Sequence, residues 1–459
     1  MTAASQLYRV LSHESDADPL FDDLRATEYC RLDADNQAYL DYTGSALYST
    51  RQVNAHGERL RNLVLGNPHS ENGPSLVSTA IINDAKARIL RFVDASADDY
   101  VVCFTANTSA AIKLVAESFQ FGPDTPLVLA ADNHNSMNGV REFARSRDAA
   151  VHYLPLDERL RLRSPKTFLR EHAGKSGGLF GFPAQSNFSG VKHPLELIQF
   201  AQRLGYTVLL DAAAFLPTSR LSLRDYPADF VAFSIYKITG YPSGVGALVA
   251  RKSALRKLER SWFAGGTVEY ASVQHGAHLL REGGEGFEDG TPAFLNILAV
   301  RDGLELLEEI GMARVNAHVT RLANKFAYRL ERLTARDGSP LAVIYGDANG
   351  RDRGPTVAFN LHNRGKYIPF AHVVERARNE GVALRGGCFC NPGASEAAFG
   401  FPAERTARCL REASAGGFTI ERFSACLGGE IPVGAVRASM GIPTNDNDID
   451  RAIAVIASF

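Results

Sequence analysis

Two stretches, TVLLDAAAF (residues 207–215) and DFVAFSIYKITGYPSGVGALVA (residues 229–250), decide the fold of this sequence. In each, an apolar run typical of a buried strand leads to a charged side chain, Asp211 in the first and Lys237 in the second. Four more such runs begin at residues 99, 126, 150 and 178, and helical periodicity appears between them, as in residues 193–205. This alternation predicts an α/β fold with a mostly parallel sheet covered by helices on both faces.

The length of 459 residues is too great for one simple core. We expect an N-terminal segment (residues 1–45) packed on a C-terminal domain, a large domain (residues 46–300) and a smaller α+β C-terminal domain (residues 301–459). One or two long helices predicted between residues 295 and 335 connect the two domains.

The charge balance excludes some classes of partner. Lys and Arg total 50 against 51 Asp and Glu, so we expect neither a nucleic acid nor an anionic membrane as partner. No apolar run reaches the roughly 18 residues of a membrane-spanning helix, and the opening MTAASQLYRVLSHESD does not resemble a signal peptide. The six cysteines are sparse and predict no disulfide framework, so a reducing cytoplasm is the expected compartment.

The predicted parallel strands end at Asp211 and at Lys237, so both side chains belong at the same edge of the sheet, where such folds bind ligands. A buried carboxylate can keep a pyridinium nitrogen protonated, and a lysine amine can hold an aldehyde as an imine. Pyridoxal phosphate (PLP) requires both partners. The alternative is a capping Asp and a solvated loop Lys, which the glycine-rich ITGYPSGVGALVA after Lys237 disfavours because it permits close backbone approach.

Further polar side chains follow other strands. Thr108 and Ser109, after Asn107, lie where a strand meets a helix, and groups at a helix N-terminus can bind a phosphate, with simple capping as the alternative. Ser234 is a possible additional phosphate ligand. The remaining candidates are His134, for ring stacking and proton transfer or a structural role, and Gln185 and Asn187, for the phenolic oxygen of the cofactor or the substrate.

The segment LRGGCFCNPG contains Cys388 and Cys390 between glycines and an Asn-Pro turn, a bendable loop that suits a nucleophilic thiolate. The alternative is a metal-binding C-x-C pair completed by Cys409 or Cys426, but no second close-spaced pair exists and we predict no metal site. Arg437, in GAVRASMG, is a candidate for bidentate capture of a substrate carboxylate, or else part of a surface salt bridge.

Taken together, the sequence resembles the class V branch of fold-type I PLP enzymes, the cysteine desulfurase group. Within that group it is most similar to the N-terminal desulfurase-like domain of the molybdenum cofactor sulfurase family. Eleven stretches in order carry the resemblance: YLDYTGSALYS, GNPHS, FTANTSAAIKLVAESF, DNHNSMNGVREF, PAQSNFSGV, LLDAAAF, DFVAFSIYKITGYPSGVGAL, WFAGGTV, FEDGTPAFL, LRGGCFCNPGA and GAVRASMGIP. They extend from about residue 39 to residue 442. The resemblance implies a large domain with a mostly parallel, seven-stranded type of sheet.

The resemblance also implies a role for each candidate. Lys237 would hold PLP as a Schiff base, Asp211 would pair with the pyridine nitrogen, and His134 would stack on the ring. The phosphate would be bound by Thr108, Ser109 and Ser234, and by Thr291 of a neighbouring subunit in a homodimer. Arg437 would bind the substrate carboxylate with Arg385 in the same pocket, and Cys390 would receive sulfur as a persulfide.

The implied function is removal of sulfur from L-cysteine to give L-alanine and a Cys390 persulfide for transfer to an acceptor. Three departures from the family pattern qualify it. Ala214 and Tyr236 occupy positions often held by Gln and His, and we expect no counterpart in this sequence of the family's second, pterin-recognising domain. Which of Cys388 and Cys390 reacts stays open. So do two alternative functions, a class V lyase, epimerase or aminotransferase acting on another amino acid in secondary metabolism, and a non-enzymatic sulfur carrier or scaffold.

Overall fold

A computed structural model of the protein describes residues 17–346, 352–363, 365–429 and 431–459, with only the backbone of residues 415 and 416. Residues 1–16, in which the sequence predicts no signal peptide and which begin the predicted N-terminal segment, lie outside the described residues. Within the described ranges, no helix is both long enough and apolar enough to cross a membrane.

Sixteen strands form the sheets of the described chain. In chain order they are β1 (Ala38–Tyr39), β2 (Tyr100–Thr105), β3 (Leu127–Ala130), β4 (Val151–Leu154), β5 (Gly178–Pro183), β6 (Tyr206–Asp211), β7 (Phe230–Ser234), β8 (Gly246–Arg251), β9 (Val268–Ala271), β10 (His278–Leu280), β11 (Ala342–Tyr345), β12 (Thr356–Asn363), β13 (Lys366–Ile368), β14 (Val382–Ala383), β15 (Arg385–Gly387) and β16 (Ala435–Ser439).

Nineteen α-helices are present in the same described ranges. They are α1 (Pro19–Glu28), α2 (Arg31–Ala34), α3 (Thr50–Asn62), α4 (Gly73–Phe92), α5 (Thr108–Ser118), α6 (Asn135–Asn138), α7 (Val140–Arg145), α8 (Pro165–Glu171), α9 (Leu197–Arg203), α10 (Ile235–Thr239), α11 (Lys252–Leu255), α12 (Phe294–Ile297), α13 (Val300–Ile310), α14 (Met312–Glu331), α15 (Phe370–Asn379), α16 (Pro392–Phe399), α17 (Ala403–Gly416), α18 (Ile420–Leu427) and α19 (Asp446–Ala457).

The large sheet has the strand order β2-β8-β7-β6-β5-β3-β4. Only β8 runs antiparallel to its neighbours among these described strands. Both faces are buried: in β6, Val208 and Leu210 join an apolar cluster on one face with α9, and Leu209 joins a cluster on the other with α5. The prediction of a mostly parallel seven-stranded sheet with helices on both faces is confirmed, and the sheet directs the ends of its parallel strands to one edge.

A second, antiparallel sheet has the order β11-β12-β16-β15, with β13 beside β12. Apolar side chains of α14, α15 and α19 cover it, among them Phe326 against Phe359. The N-terminal part of the chain joins this region, because β1 pairs in parallel with β14 and Asp41 forms a bridge with Ser439. Residues far apart in sequence therefore meet at the end of β16.

Lys237 does not end a strand, contrary to the sequence-based expectation. β7 ends at Ser234, and Lys237 lies on the single helical turn of α10. Gly240, whose φ of 75° suits glycine, closes that turn by donating its N–H to the Tyr236 carbonyl. The helical turn still leaves Lys237 at the carboxyl edge of the sheet.

The cysteine pattern also differs from the expectation. Cys409 on α17 and Cys426 on α18 form a disulfide with a Cα–Cα distance of 5.7 Å, because these two helices lie side by side. Cys30, Cys103, Cys388 and Cys390 are free thiols. The alternative in which Cys409 or Cys426 completes a metal site with Cys388 and Cys390 is wrong for this structure, since their sulfurs are bonded to each other.

Candidate active site

A cavity of about 420 Å³ opens where β2, β3, β5, β6 and β7 end. It brings together eight of the side chains that the sequence singles out: Thr108, Ser109, His134, Gln185, Asn187, Asp211, Ser234 and Lys237. Ser136, Ala214, Tyr236 and Ser243 also line it. These side chains therefore meet at the carboxyl edge of the parallel strands, where the sequence places them.

Lys237 and Asp211 share this cavity at the ends of adjacent strands. Burial lowers the pKa of Lys237, while the nearby Asp211 carboxylate opposes that effect and the charges of Arg437 and Arg385 reinforce it. Asp211 is 7% exposed, and its Oδ1 accepts a hydrogen bond from the Ala213 N–H at 3.0 Å. A lowered pKa favours the neutral lysine amine, which is the form that attacks an aldehyde, and a buried carboxylate suits a protonated ring nitrogen.

The start of α5 provides a site for an anion beside these two residues. The Thr108 N–H and hydroxyl both contact the Ser234 Oγ, at 2.8 and 2.6 Å, and the Ser109 hydroxyl lies 2.5 Å from the Ser136 hydroxyl. Gly246 brings β8 close behind this turn, since a Cβ there would lie 2.4 Å from the Asn107 carbonyl carbon. Hydroxyls gathered at the N-terminus of an eleven-residue helix fit a phosphate group.

His134 and Gln185 line the cavity from different loops. The His134 Nδ1 accepts the Ser136 N–H at 3.1 Å, and burial lowers the pKa of the imidazole, which favours the neutral ring. Gln185 is 2% exposed, and its Oε1 has no hydrogen-bond partner in the described part of the chain. A buried amide with an unused polar atom fits a site built for a polar ligand.

Asp41 lies between the two predicted substrate-binding arginines. Its carboxylate accepts from Arg385 Nε at 2.8 and 3.0 Å and from Arg437 Nη2 at 2.9 Å. Burial lowers the pKa of Arg437 to about 10, with Asp41 opposing the effect, and its guanidinium lies over the Phe389 ring at 4.6 Å. The sequence singled out both arginines but missed Asp41, which follows a two-residue strand and carries no motif of its own.

Cys390 lies in an exposed turn against the loop of His134. Its carbonyl accepts the Asn135 N–H at 2.7 Å, and the Phe389 carbonyl before it accepts the Asn187 Nδ2 at 2.7 Å. The turn that carries the thiol therefore lies against two loops of the cavity wall, although Cys390 does not itself line the cavity. Cys388 is also exposed, two residues earlier. Thr291 does not line the cavity of its own chain and contacts the Asn67 amide at 3.4 Å.

Fold and site together define a class of protein. The family model for aminotransferase class V matches residues 38–452, and the chain belongs to this family. Family and fold indicate pyridoxal phosphate as the cofactor, in agreement with the sequence-based prediction. The unpartnered Gln185 Oε1 and the hydroxyls at the start of α5 fit such a ligand in this cavity.

Among curated proteins, the chain is 33% identical over 479 aligned positions to the molybdenum cofactor sulfurase of Arabidopsis thaliana. The match covers 95% of this chain and 58% of that protein, so the chain spans little more than half the length of this relative. The predicted similarity to the molybdenum cofactor sulfurases is thereby confirmed for the region that the two chains share.

Two solved structures show the same fold. The apo cysteine desulfurase of Thermococcus onnurineus NA1 matches with a TM-score of 0.77 at 22% identity, covering 95% of this chain and 97% of that one. A C-DES mutant with glycine covalently linked to its PLP cofactor matches with a TM-score of 0.72 at 16% identity, covering 95% of this chain and 99% of that one. The predicted fold class, that of the fold-type I PLP enzymes, is confirmed.

Proposed function

We propose that this chain is a PLP-dependent cysteine desulfurase that moves the sulfur of L-cysteine onto Cys390, releases L-alanine and passes the sulfur to an acceptor. The observation that carries the proposal is the position of an exposed thiol, Cys390, in a turn that is hydrogen-bonded to Asn135 and Asn187, beside the cavity that Lys237 lines. Relatives and structural neighbours named as sulfurases and desulfurases support it. An aminotransferase reaction would need no thiol at this place.

The residues of the cavity have separate tasks in this proposal. Lys237 would hold the cofactor and move the proton of the substrate Cα, Asp211 would pair with the ring nitrogen, and His134 would pack on the ring. Bound PLP supplies an electron sink for the charge left at Cα. Thr108, Ser109 and Ser234 would bind the phosphate. Gln185 would bind the phenolic oxygen, because Ala214 occupies the position where many family members carry a glutamine.

Arg437, Arg385 and Asn187 bind the substrate carboxylate and so direct its Cβ–S bond toward Cys390. The Cys390 thiolate attacks the substrate sulfur, forming an S–S bond, and the electron pair of the Cβ–S bond stays on carbon, which then takes up a proton. One cysteine and one enzyme thiol thus give one alanine and one persulfide, with no external oxidant or reductant.

The proposal also covers the oligomeric state, the domain boundaries and the cellular compartment. A homodimer would bring Thr291 to the phosphate of the neighbouring subunit. In support, Thr291 lies outside its own cavity, and the Tyr270 and Leu279 side chains of the β9–β10 hairpin are 70% and 64% exposed. The domain boundaries at residues 45 and 300 and the cytoplasmic compartment also remain proposals. Separate sheets before and after residue 300 support the division into domains.

The test incubates Cys390→Ala, Cys388→Ala and the matched control Cys30→Ala with L-cysteine, because all three side chains are exposed free thiols. We expect Cys390→Ala alone to lose the persulfide, detected by mass spectrometry, and to lose alanine formation to the same extent. Undiminished alanine from Cys390→Ala would overturn the proposal. Loss in Cys388→Ala instead would move the sulfur-accepting role to that thiol.

A further inference from the structure

Asn391 follows Cys390 and is completely buried, although the thiol before it is exposed. Its side chain makes three hydrogen bonds within the turn and its surroundings. The Nδ2 group donates to the Asp132 carbonyl at 2.6 Å and to the Asn187 Oδ1 at 2.9 Å, and the Oδ1 accepts the Ala394 N–H at 3.1 Å. One amide therefore caps α16 and also ties the turn to two loops of the large sheet.

The turn that Asn391 ties down has an unfavourable backbone conformation. Phe389 and Cys390 are consecutive non-glycine residues with φ values of 57° and 55°, in the left-handed region. Residues other than glycine adopt this conformation at a cost in free energy, so contacts from outside the turn must stabilise the turn. The Phe389 carbonyl accepts the Asn187 Nδ2 at 2.7 Å, and the Cys390 carbonyl accepts the Asn135 N–H at 2.7 Å.

The loops that anchor Asn391 are themselves fixed. The Asp132 carboxylate and the His193 imidazole form a 2.8 Å pair in which both side chains are at most 1% exposed. Gly393, in the first turn of α16, meets the same loop so closely that a Cβ there would lie 1.9 Å from the Ala131 carbonyl oxygen. The contact between the thiol-bearing turn and the His134 loop is therefore as close as the backbone allows.

Asn187 connects this turn to the arginine pair. Its backbone carbonyl accepts Arg437 Nη1 at 2.9 Å, while its side chain both donates to the Phe389 carbonyl and accepts from Asn391. One residue thus links the predicted carboxylate-binding group to the turn that carries the thiol. A change at Asn391 would act on the thiol through this connection.

We propose that Asn391 is a positioning residue, which holds the Cys390 turn against Asp132 and Asn187 so that the thiol meets the sulfur of a substrate bound at Arg437. The inference rests on the proposed function and deepens it. Asn391 does not touch the reacting atoms. It acts by holding the left-handed turn, and the two bonds that its Nδ2 donates can be removed without removing the cap that its Oδ1 forms.

The variant Asn391→Asp removes the two bonds that Nδ2 donates and retains the helix cap. The carboxylate keeps an oxygen to accept the Ala394 N–H, loses both donated bonds and places an oxygen against the Asp132 carbonyl and the Asn187 Oδ1. The matched control is Asn445→Asp, the same change at the N-cap of α19, where the side chain accepts the Asp448 N–H at 3.0 Å. A second variant, Asn391→Ser, keeps a capping hydroxyl, lacks the reach of the amide and adds no charge.

The first measurement compares two steps in the holoenzyme. Exchange of the Cα hydrogen of L-alanine in D₂O measures the proton transfer assigned to Lys237 and involves no sulfur. Single-turnover persulfide formation from L-cysteine measures the reaction of the Cys390 thiol. We expect both Asn391 variants to retain Cα exchange within about threefold, with persulfide formation falling about 100-fold, the order expected for a 1 Å misplacement. Equal effects on both steps, or none on persulfide formation, would overturn the positioning role.

The second measurement needs no turnover. We expect hydrogen–deuterium exchange of backbone amides in the peptide covering residues 388–394 to be at least about tenfold faster in both Asn391 variants than in the wild type or Asn445→Asp. Unchanged exchange would overturn the inference even if sulfur transfer occurs. Faster exchange in the variants, together with a wild type that forms no persulfide, would reject the proposed function and support the role of Asn391 in holding the turn.

Discussion

Asp41 Oδ1 lies 2.9 Å from Arg437 Nη2, and the Asp41 carboxylate also accepts from Arg385, so one acid balances two arginines at the predicted substrate-binding edge of the cavity. The Arg437 side chain is 3% exposed and that of Asp41 is 13% exposed. A guanidinium this deeply buried requires an anion beside it, because desolvation strongly disfavours an unpaired charge. In the absence of substrate, Asp41 is that anion.

Asp41→Asn should therefore destabilise the protein by about 3 kcal/mol, the usual cost of leaving one partner of a buried ion pair uncompensated. The matched control is Asp18→Asn, which removes the carboxylate of the more exposed Asp18–Arg314 pair and should cost less than about 1 kcal/mol. Urea unfolding followed by circular dichroism measures both. Similar losses in the two variants would contradict the importance of Asp41 for Arg437.

The lowered pKa of Lys237 has a consequence for cofactor loading. Only the neutral amine forms an imine with PLP, and a pKa below the ordinary value of 10.5 makes that form available at lower pH. Reconstitution of the apoprotein with PLP, followed by cofactor absorbance, should accelerate with rising pH with a midpoint below 10.5. A midpoint at or above that value would contradict the effect of burial, and Lys237→Ala should give no imine absorbance.

His318 predicts how the protein responds to acid. It stacks on Phe21, donates to the Thr444 carbonyl at 2.9 Å, and burial lowers its pKa to about 4. The unfolded chain takes up this proton near pH 6.5 and the folded chain only near pH 4, so stability falls as the pH falls through that window. The loss should approach about 3 kcal/mol by pH 4.

Urea unfolding midpoints at pH 7, 5.5 and 4.5 measure this loss. His318→Gln should flatten the pH dependence between pH 6.5 and 4, whereas His372→Gln, a change at an exposed histidine, should leave it as in the wild type. An unchanged slope in His318→Gln would show that other groups cause the acid sensitivity.

The disulfide between Cys409 and Cys426 should stabilise the pair α17 and α18 locally. It closes a loop with a sequence separation of 17, for which the loss of chain entropy in the unfolded state corresponds to about 3 kcal/mol. We expect Cys426→Ser to speed proteolysis within residues 403–427, with Cys30→Ser unchanged and persulfide formation on Cys390 retained.

The same disulfide tests the proposed compartment. Thiols alkylated at the moment of lysis should include Cys409 and Cys426 if the chain resides in a reducing cytoplasm, because glutathione keeps such pairs reduced there. Peptide mass mapping identifies the alkylated residues. Recovery of the pair as a disulfide would argue against the cytoplasmic proposal.

The sequence predicted the parts of the site that depend on local pattern. Lys237 and Asp211 could be placed because apolar runs mark parallel strands, and parallel strands bring the residues at their carboxyl ends to one edge of the sheet. Lys237 was misplaced by three residues, onto the end of a strand, because the helical turn after Ser234 is too short to show a period. The family resemblance then supplied roles that spacing alone left open.

The residues that the sequence missed act through contacts between distant segments. Asp41 pairs with Arg385 and Arg437, which lie more than 340 positions further along the chain, and no sequence pattern near Asp41 predicts this pairing. For Asn391 the sequence predicts only an Asn-Pro turn, whereas its proposed role depends on the buried partners Asp132 and Asn187. Pairings of this kind are set by how sheets and loops pack, which local periodicity does not encode.

The pairing of β1 with β14 determines how this protein can be shortened for study. A fragment starting at residue 46 would retain Lys237, Arg437 and Cys390, yet it would lose the strand that delivers Asp41 and the bridge from Asp41 to Ser439. The arginine pair therefore depends on an N-terminal carboxylate that a domain-based truncation would discard. Any minimal expression fragment must begin before Ala38.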